Sequence, residues 1–397
     1  MKSILITLIT CLAFINVGKS QSFIPGNSYL DLTNYVEYIA GNLPVVISVP
    51  HGGYLEPSSI PNRSCSGCSY VRDSYTQELA NEIKDAFFQK TGCYPHIIIN
   101  LLHRKKFDAN RDIGDAADGN ATVEAAWYNY HNFIDTAKHH IAANYNRGMF
   151  FDLHGHGHTI QRIELGYGLS KTELQLSDAN LNTSTYVNES SIKLLTSDNL
   201  QNLTHAELLR GDLSFGTLLD NKGFPSVPSK FDPFPQSTEP YFSGGYNTRR
   251  YGSENADTLD AIQIECNSGI RFNASLRQNF ADSVTQSMLK LIDLHYMDNF
   301  EGNYCNLLTS TESTFSNAVD IKIYPNPSCQ EIFIENHQLN AGKIEVFNTL
   351  GQPVLFTNLE IGTNRITINT LNNGFYWIRI IEKGKVVFQD KVFKMCD

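Results

Sequence analysis

Beyond its first twenty residues, the 397-residue chain has no apolar run approaching the roughly 20 residues a helix needs to cross a bilayer, so no transmembrane segment is expected. An excess of basic charge is also missing. Lys and Arg number 31 against 41 Asp and Glu, a net charge of -10. A phosphate-binding surface needs a basic footprint, so nucleic acid is excluded as a partner. There is no second Cys-x-x-Cys to accompany Cys65 and Cys68, and no His-x-His at zinc-finger spacing. That absence favours a disulfide pinning a loop over a structural zinc site or a redox pair.

What is present starts with a leader. Met1-Lys2 supplies positive charge, Ile4 to Val17 an apolar stretch and Gly18-Lys19-Ser20 a small-residue cleavage site. Residues 1–20 therefore read as a secretory signal peptide. Cys11 lies inside the apolar stretch behind Thr10, which argues against a lipidated cysteine. Of eight cysteines, seven then enter an oxidising setting where disulfides are plausible, and an odd number leaves at least one thiol free.

The length suggests two folded units, and 41% apolar residues can fill a sizeable core. From residue 21 to 300, helical and strand patterns alternate. Val45 to Val49, Tyr94 to Leu102, Gly148 to Leu153 and Ala261 to Ile264 read as buried strands; Asp73 to Thr91, Ala125 to Asn144 and Phe280 to Tyr296 read as helices. This pattern predicts an α/β unit with a mostly parallel or mixed sheet flanked by helices. Residues 301–318, Ser/Thr-rich over Thr309 to Thr314, read as a linker. From 319 to 397 short β-rich runs divided by turn residues predict a small β-sandwich, with Cys329 and Cys396 near its ends as a candidate pair.

Four segments of the first unit end an apolar run with reactive side chains: Ser48-Val49-Pro50-His51-Gly52-Gly53, Phe107-Asp108-Ala109-Asn110-Arg111-Asp112, Asp152-Leu153-His154-Gly155-His156-Gly157-His158 and Ile262-Gln263-Ile264-Glu265. Ligands bind outside the carboxyl ends of strands in open α/β sheets, so these segments should converge. Two histidines, acidic residues and an arginine meeting there are the inventory of a zinc hydrolase, whose metal takes three protein ligands. His51 and His154 are the expected ligands, with Gly52-Gly53 allowing a tight turn. Asp73, at the start of a helix, is preferred as the third ligand over Glu56. Glu265 suits a general base that takes a proton from water and later delivers it to the leaving amine. Arg104 could polarise the scissile carbonyl. Asn110 and Arg111 could hold a substrate carboxylate, although an arginine beside Asp108 and Asp112 could equally be an ion pair. Tyr246 belongs to a glycine-rich stretch, Tyr241 to Tyr251, expected to form a pocket loop. His156 and His158 are expected as supporting or substrate contacts.

On these motifs, Val45 to Phe272 resembles an N-formylglutamate amidohydrolase of the broader zinc-carboxypeptidase-like fold. The resemblance implies Zn2+, amide hydrolysis and a small amino-acid-derived or peptide substrate bearing a carboxylate. The order of His, acidic residue, His and late Glu is also similar to N-acetylmuramoyl-alanine amidases. This leaves a cell-wall amidase or metallocarboxypeptidase as alternative enzymes, and a non-catalytic ligand-binding protein on the same fold as the alternative outside enzymes. The tail resembles the type A sorting domain of the type IX secretion system. It carries Tyr324-Pro325-Asn326-Pro327, Val346-Phe347-Asn348-Thr349-Leu350-Gly351-Gln352 and Asn373-Gly374-Phe375-Tyr376-Trp377-Ile378-Arg379 in that order. A carbohydrate-binding or adhesive sandwich is the alternative. The sorting reading implies the type IX export machinery as a partner and a secreted or cell-surface destination.

Overall fold

The structure, a computed structural model, describes residues 23–65, 67–255, 259–305, 321–339, 342–348, 353–382 and 385–396. The predicted signal peptide and residues 306–320 of the predicted linker lie outside the described residues. The chain divides into two compact units, 1–308 and 309–397.

In the first unit β1 (Ser28–Leu30), β2 (Val36–Ile39), β3 (Val45–Val49), β4 (His96–Asn100), β5 (Gly148–His156), β6 (Ile163–Gly166), β7 (Ser226–Val227) and β8 (Leu259–Asn267) form one sheet in the order β1-β2-β4-β3-β5-β8-β6-β7. The central four strands are mutually parallel; β1 and β2 continue antiparallel on one side, and β6 pairs antiparallel with β8 on the other. The strands read as unbroken apolar runs because both faces are covered. Val45, Ile47 and Val49 of β3 enter one core with helix α1 (Thr76–Thr91) and helix α3 (Ala274–His295). Val46 enters the other with helix α2 (Ala121–Tyr145) through Val123, Tyr130 and Ile134. Alternate residues of a strand face opposite sides, so one run feeds two cores.

Connectivity leaves β3 toward β4 on one side and toward β5 on the other. This reversal opens a crevice at the carboxyl ends of β3 and β5. Asp73, Asp108, His154 and Glu265 all come from segments at this edge. The strands overrun their predicted ends: β5 reaches His156 and β8 reaches Asn267, so His154 and Glu265 sit inside the sheet as register partners. Gly52 and Gly53 differ from expectation in their reason. Neither adopts a left-handed backbone; a Cβ on Gly53 would lie 2.2 Å from the Leu102 carbonyl oxygen, and one on Gly52 2.5 Å from Thr76 Oγ1. They are small so that the turn after β3 can touch β4's exit and the start of α1. Between β6 and β8 lies an unpredicted array of short helices, such as His205–Arg210 and Phe215–Asp220, each started by a side-chain cap from Thr204 or Ser214.

The second unit has two antiparallel sheets. The first orders β13 (Gly362–Thr367), β10 (Glu331–Asn336) and β9 (Ile321–Tyr324); the second orders β12 (Pro353–Leu359), β11 (Gly342–Phe347), β14 (Gly374–Glu382) and β15 (Lys385–Lys394). Ile332 and Ile334 of one and Ile344, Ile378 and Ile380 of the other share one core, the predicted sandwich. Strand β12 was not legible in the sequence.

Cys65 pairs with Cys68, Cys329 with Cys396, and Cys93 with Cys305 across 212 residues, and among the described residues Cys266 is the free thiol, buried. Burial pushes that thiol up to about 12, so it is inert. The long Cys93–Cys305 link ties the exit of α1 to the segment after α3. Cys93→Ser should lower unfolding free energy by about 2–5 kcal/mol in denaturant melts; an unchanged midpoint would contradict its stabilising role.

Candidate metal centre

The loop after β3 folds back on itself before α1 begins. The Asp73 N–H donates to the His51 carbonyl at 3.0 Å, and Thr76 N–H and Oγ1–H donate to the Asp73 carbonyl. Tyr75, not Asp73, precedes the helix, in a left-handed conformation (φ 70°) that non-glycine residues seldom adopt. Asp73 is therefore released from capping. Its Oδ2 lies 3.4 Å from His51 Nδ1 and 3.3 Å from His154 Nδ1, and the two Nδ1 atoms are 3.0 Å apart.

The far side of each imidazole is occupied by another carboxylate. His51 Nε2–H donates to Asp108 Oδ1 at 2.6 Å, and His154 Nε2–H donates to Asp152 Oδ2 at 2.9 Å. A carboxylate on one ring nitrogen places the proton there and leaves the other nitrogen as a lone pair. Two such lone pairs then face Asp73 Oδ2, which also accepts the Gly155 N–H at 3.1 Å. Three acceptors at this separation repel unless a cation joins them. Zinc with bonds of about 2.0–2.1 Å holds tetrahedral ligands about 3.3 Å apart, close to the three distances observed. The residues fit the metal in atom type, spacing and orientation.

The surrounding charges agree. Burial pushes Asp73 up, but in the metal-free chain protons on His154 and His51 would donate to it, and they outweigh burial and hold the carboxyl well below the usual range, as a cation in their place would. Burial raises Asp108 as well, and His51, Arg104 and Arg63 overcome it. Burial would lower His154, yet Asp152 and Asp73 hold it well above the ordinary histidine range. The cluster wants positive charge. Glu265 differs: burial, with Asp73 and Glu164 nearby, pushes it up to about 8 despite His154. Its Oε1 accepts a hydrogen bond from Gln263 at 3.0 Å.

The other predicted residues are placed unevenly. Arg104 Nε donates to Asp108 Oδ2 at 3.1 Å and its Nη1 is 3.7 Å from Asp73. Asn110 Nδ2 lies 3.3 Å from His154 Nε2, while its Oδ1 accepts the Asn247 N–H at 2.7 Å. Glu56 instead pairs with Lys105 at 2.6 Å, away from the cluster. Arg111 is exposed, with its carbonyl bonded to the Trp127 indole, and its guanidinium does not join the buried network. Tyr246 starts a short helix, Tyr246–Tyr251, rather than a loop; its hydroxyl accepts from Arg250. Its neighbour Asn247 reaches the site instead.

Sequence reasoning gave no role to Asp108 or Asp152 behind the imidazoles, although the two-residue spacing of Asp152 and His154 puts them on one strand face. Arg63, which lies 3.5 Å from Asp108 and contacts Cys68 Sγ, was missed without any sequence signal. His156, His158 and Glu164 form a second group within metal-binding reach. His156 has both nitrogens on backbone groups, Arg162 O and His158 N, so it has no lone pair for a metal. A cleft of about 450 Å³ opens onto Asp73 and Arg104, lined also by His156, His158 and Arg271, with Phe242 and Phe272 partly exposed at it. His51 and His154 are each 2% exposed.

Residues 322–394 match the family described as the secretion system C-terminal sorting domain. The sorting domain implies delivery by a type IX system to the cell surface or the medium. No curated protein matches the chain. Among solved structures, it is similar to an N-formylglutamate amidohydrolase from Ralstonia eutropha JMP134 at 13% identity and TM-score 0.40, covering 64% of this chain and 96% of that one. A gene product from Agrobacterium tumefaciens gives 12% and 0.40, with 65% and 94% covered. The CwlD amidase from Clostridioides difficile, solved with the GerS lipoprotein, gives 9% and 0.26, with 63% and 98% covered. Likeness this distant carries no activity across. The chemistry rests on the site itself.

Elemental analysis should find one zinc per full chain, and His51→Ala or His154→Ala should remove it while the fold survives. Asp73→Asn should weaken binding more than Glu56→Gln. Because protons compete for the same nitrogens, zinc should be released as pH falls. Full zinc in both histidine variants would refute the ligand set.

Proposed function

We propose that the chain is an exported zinc-dependent amidohydrolase that cleaves an amide bond in a carboxylate-bearing substrate. The observation that carries this reading is the convergence of His51 Nδ1, Asp73 Oδ2 and His154 Nδ1 within 3.0–3.4 Å, each imidazole backed by its own carboxylate. A zinc ion held there would polarise a carbonyl and activate water near neutral pH. The side chains do the rest. Glu265, buried as the register partner of His154, is the carboxylate proposed to take the attacking water's proton; burial favours its neutral form, and a cation bound beside it would draw it back to the charged form that a base needs. Arg104, beside Asp73 at the cleft, is placed to stabilise negative charge as it develops on the carbonyl oxygen. Asn110, and the exposed Arg111 next to it, are the proposed contacts for the substrate carboxylate, with Tyr246 nearby in sequence to Asn247 at the site edge.

A non-catalytic binding role would give no reason for a buried carboxylate with a raised pKa as register partner of a metal-ligating histidine. The cleft does not separate a small N-acyl amino acid from a cell-wall peptide, so metallocarboxypeptidase and cell-wall amidase activities belong in the same substrate screen. Residues 1–20 are proposed to direct the chain across the inner membrane before the sorting domain acts.

Glu265→Gln should keep zinc yet lose turnover by roughly 10²–10⁴-fold; a rate within a few-fold of the parent would make Glu265 structural. A chain ending at residue 308 should keep zinc content and rate but remain in the periplasm of a host with type IX machinery. Loss of activity would make the tail part of the enzyme, and normal delivery would refute its sorting role.

A further inference from the structure

The His-Gly-His-Gly-His run is richer than the metal cluster requires, since only His154 belongs to it. His156 is spent on backbone groups, as described above, and holds the end of β5 in place. His158 is used the opposite way. Its Nδ1–H donates to Glu164 Oε1 at 2.7 Å, and its Nε2 has no partner among the described residues. Glu164 is fully buried, and its second oxygen accepts the Phe242 N–H at 2.9 Å, so the carboxylate is fixed through both oxygens. The Phe242 ring stacks on the imidazole with centroids 4.8 Å apart and planes within 17°. Glu164 is the register partner of Glu265 across β6 and β8. The His158 side chain is 21% exposed and lines the cleft that also meets Asp73 and Arg104. A buried carboxylate on one nitrogen of an imidazole whose ring borders a cleft is the arrangement that orients the ring and lets the other nitrogen carry a proton to a substrate.

We propose that His158, oriented by Glu164, is a second catalytic residue that donates its Nε2 proton to the leaving nitrogen of the scissile amide. This rests on the amide-hydrolysis reading above and takes the proton delivery away from Glu265. Water adds to the carbonyl carbon and gives one proton to Glu265. The C–N bond then breaks, its electron pair stays on nitrogen, and nitrogen takes the proton from Nε2. His158 is left neutral, with its remaining proton on Nδ1 against Glu164. The products are a carboxylic acid and an amine; Glu265 loses its proton to solvent and solvent reprotonates His158, so the net reaction consumes one water.

The test compares the zinc-loaded full chain with His158→Gln and Glu164→Gln on two carboxylate-bearing probes that differ only in the leaving atom, hippuryl-phenylalanine and its ester analogue hippuryl-phenyllactate. A leaving amine needs a proton far more than a leaving alkoxide does. His158→Gln should therefore cut kcat on the amide by roughly 10²–10³-fold and on the ester by less than about tenfold. Equal losses on both probes would mean a structural role and overturn the proposal. Imidazole 15N NMR of the zinc-loaded chain, with His158 assigned by its loss in His158→Gln, reads the same arrangement without turnover. The neutral ring should carry its proton on Nδ1 and lose that preference in Glu164→Gln. A proton on Nε2 alone would overturn the proposal. If the parent chain cleaves neither these probes nor any N-acyl amino acid or cell-wall peptide of the substrate screen, the amide-hydrolysis reading fails and this proposal is overturned with it. Cleavage with equal losses overturns this proposal alone.

Discussion

Charge balance in an almost fully buried cluster governs this molecule. Asp73, Asp108, Asp152 and Glu265 are all at most 7% exposed, gathered around two imidazoles that are 2% exposed. Burying one unpaired carboxylate costs several kcal/mol, so the three aspartates are tolerable only if positive charge is built in beside them, while burial pushes Glu265 toward its neutral form. Arg63 and Arg104 balance Asp108 from outside the cluster. At the centre itself, bounded by Asp73 and two imidazole nitrogens, Arg104 approaches one Asp73 oxygen at 3.7 Å, and a bound cation is proposed to supply the rest of the positive charge. A proton on His154 can meet part of that need, and a divalent metal can meet it fully.

The fold exists around that centre in a definite way. Three parallel strands, β3, β5 and β8, bring His51, His154 and Glu265 to one edge, and the chain's reversal between β4 and β5 keeps the edge open. Rigid strands hold two of these groups in register, which is how a site keeps its geometry to within a fraction of an ångström. Gly155 shows how tight this packing is. A Cβ there would lie 2.2 Å from Arg271 Nε, while the Gly155 N–H donates to Asp73 Oδ2. Arg271 in turn ties the carbonyls of Ser74, His156 and Cys266 together across three segments.

Much of this was legible in the sequence because burial on both faces writes strands as unbroken apolar runs, as in Val45 to Val49. Reactive residues at their ends then stand out. Asp73 was legible from its short tether to His51, and the sandwich from its alternating short runs. What escaped notice was set by distance and by context. Asp108 pairs with His51 across 57 residues, and a carboxylate flanked by arginines reads as an ordinary ion pair. Adjacency in sequence also hides which side chains turn inward: Asn247 and Asn110 join the buried network, while Arg111 stays exposed and Tyr246 meets Arg250. The short helices between β6 and β8 lack a sustained 3.6-residue period, and only tertiary packing makes them helical. The run of three histidines could be seen, but the division of labour among them depends on Glu164 and Arg162, which reach them only once the strand pair has formed.

The central claim is a metal held by two imidazole Nδ1 atoms and one carboxylate. Zinc K-edge X-ray absorption of the full chain with one equivalent of zinc tests it most directly. The account predicts nitrogen and oxygen neighbours at about 2.0–2.1 Å, the outer scattering of two imidazole rings and no sulfur. A sulfur neighbour at about 2.3 Å, or an oxygen shell without imidazole scattering, would contradict it.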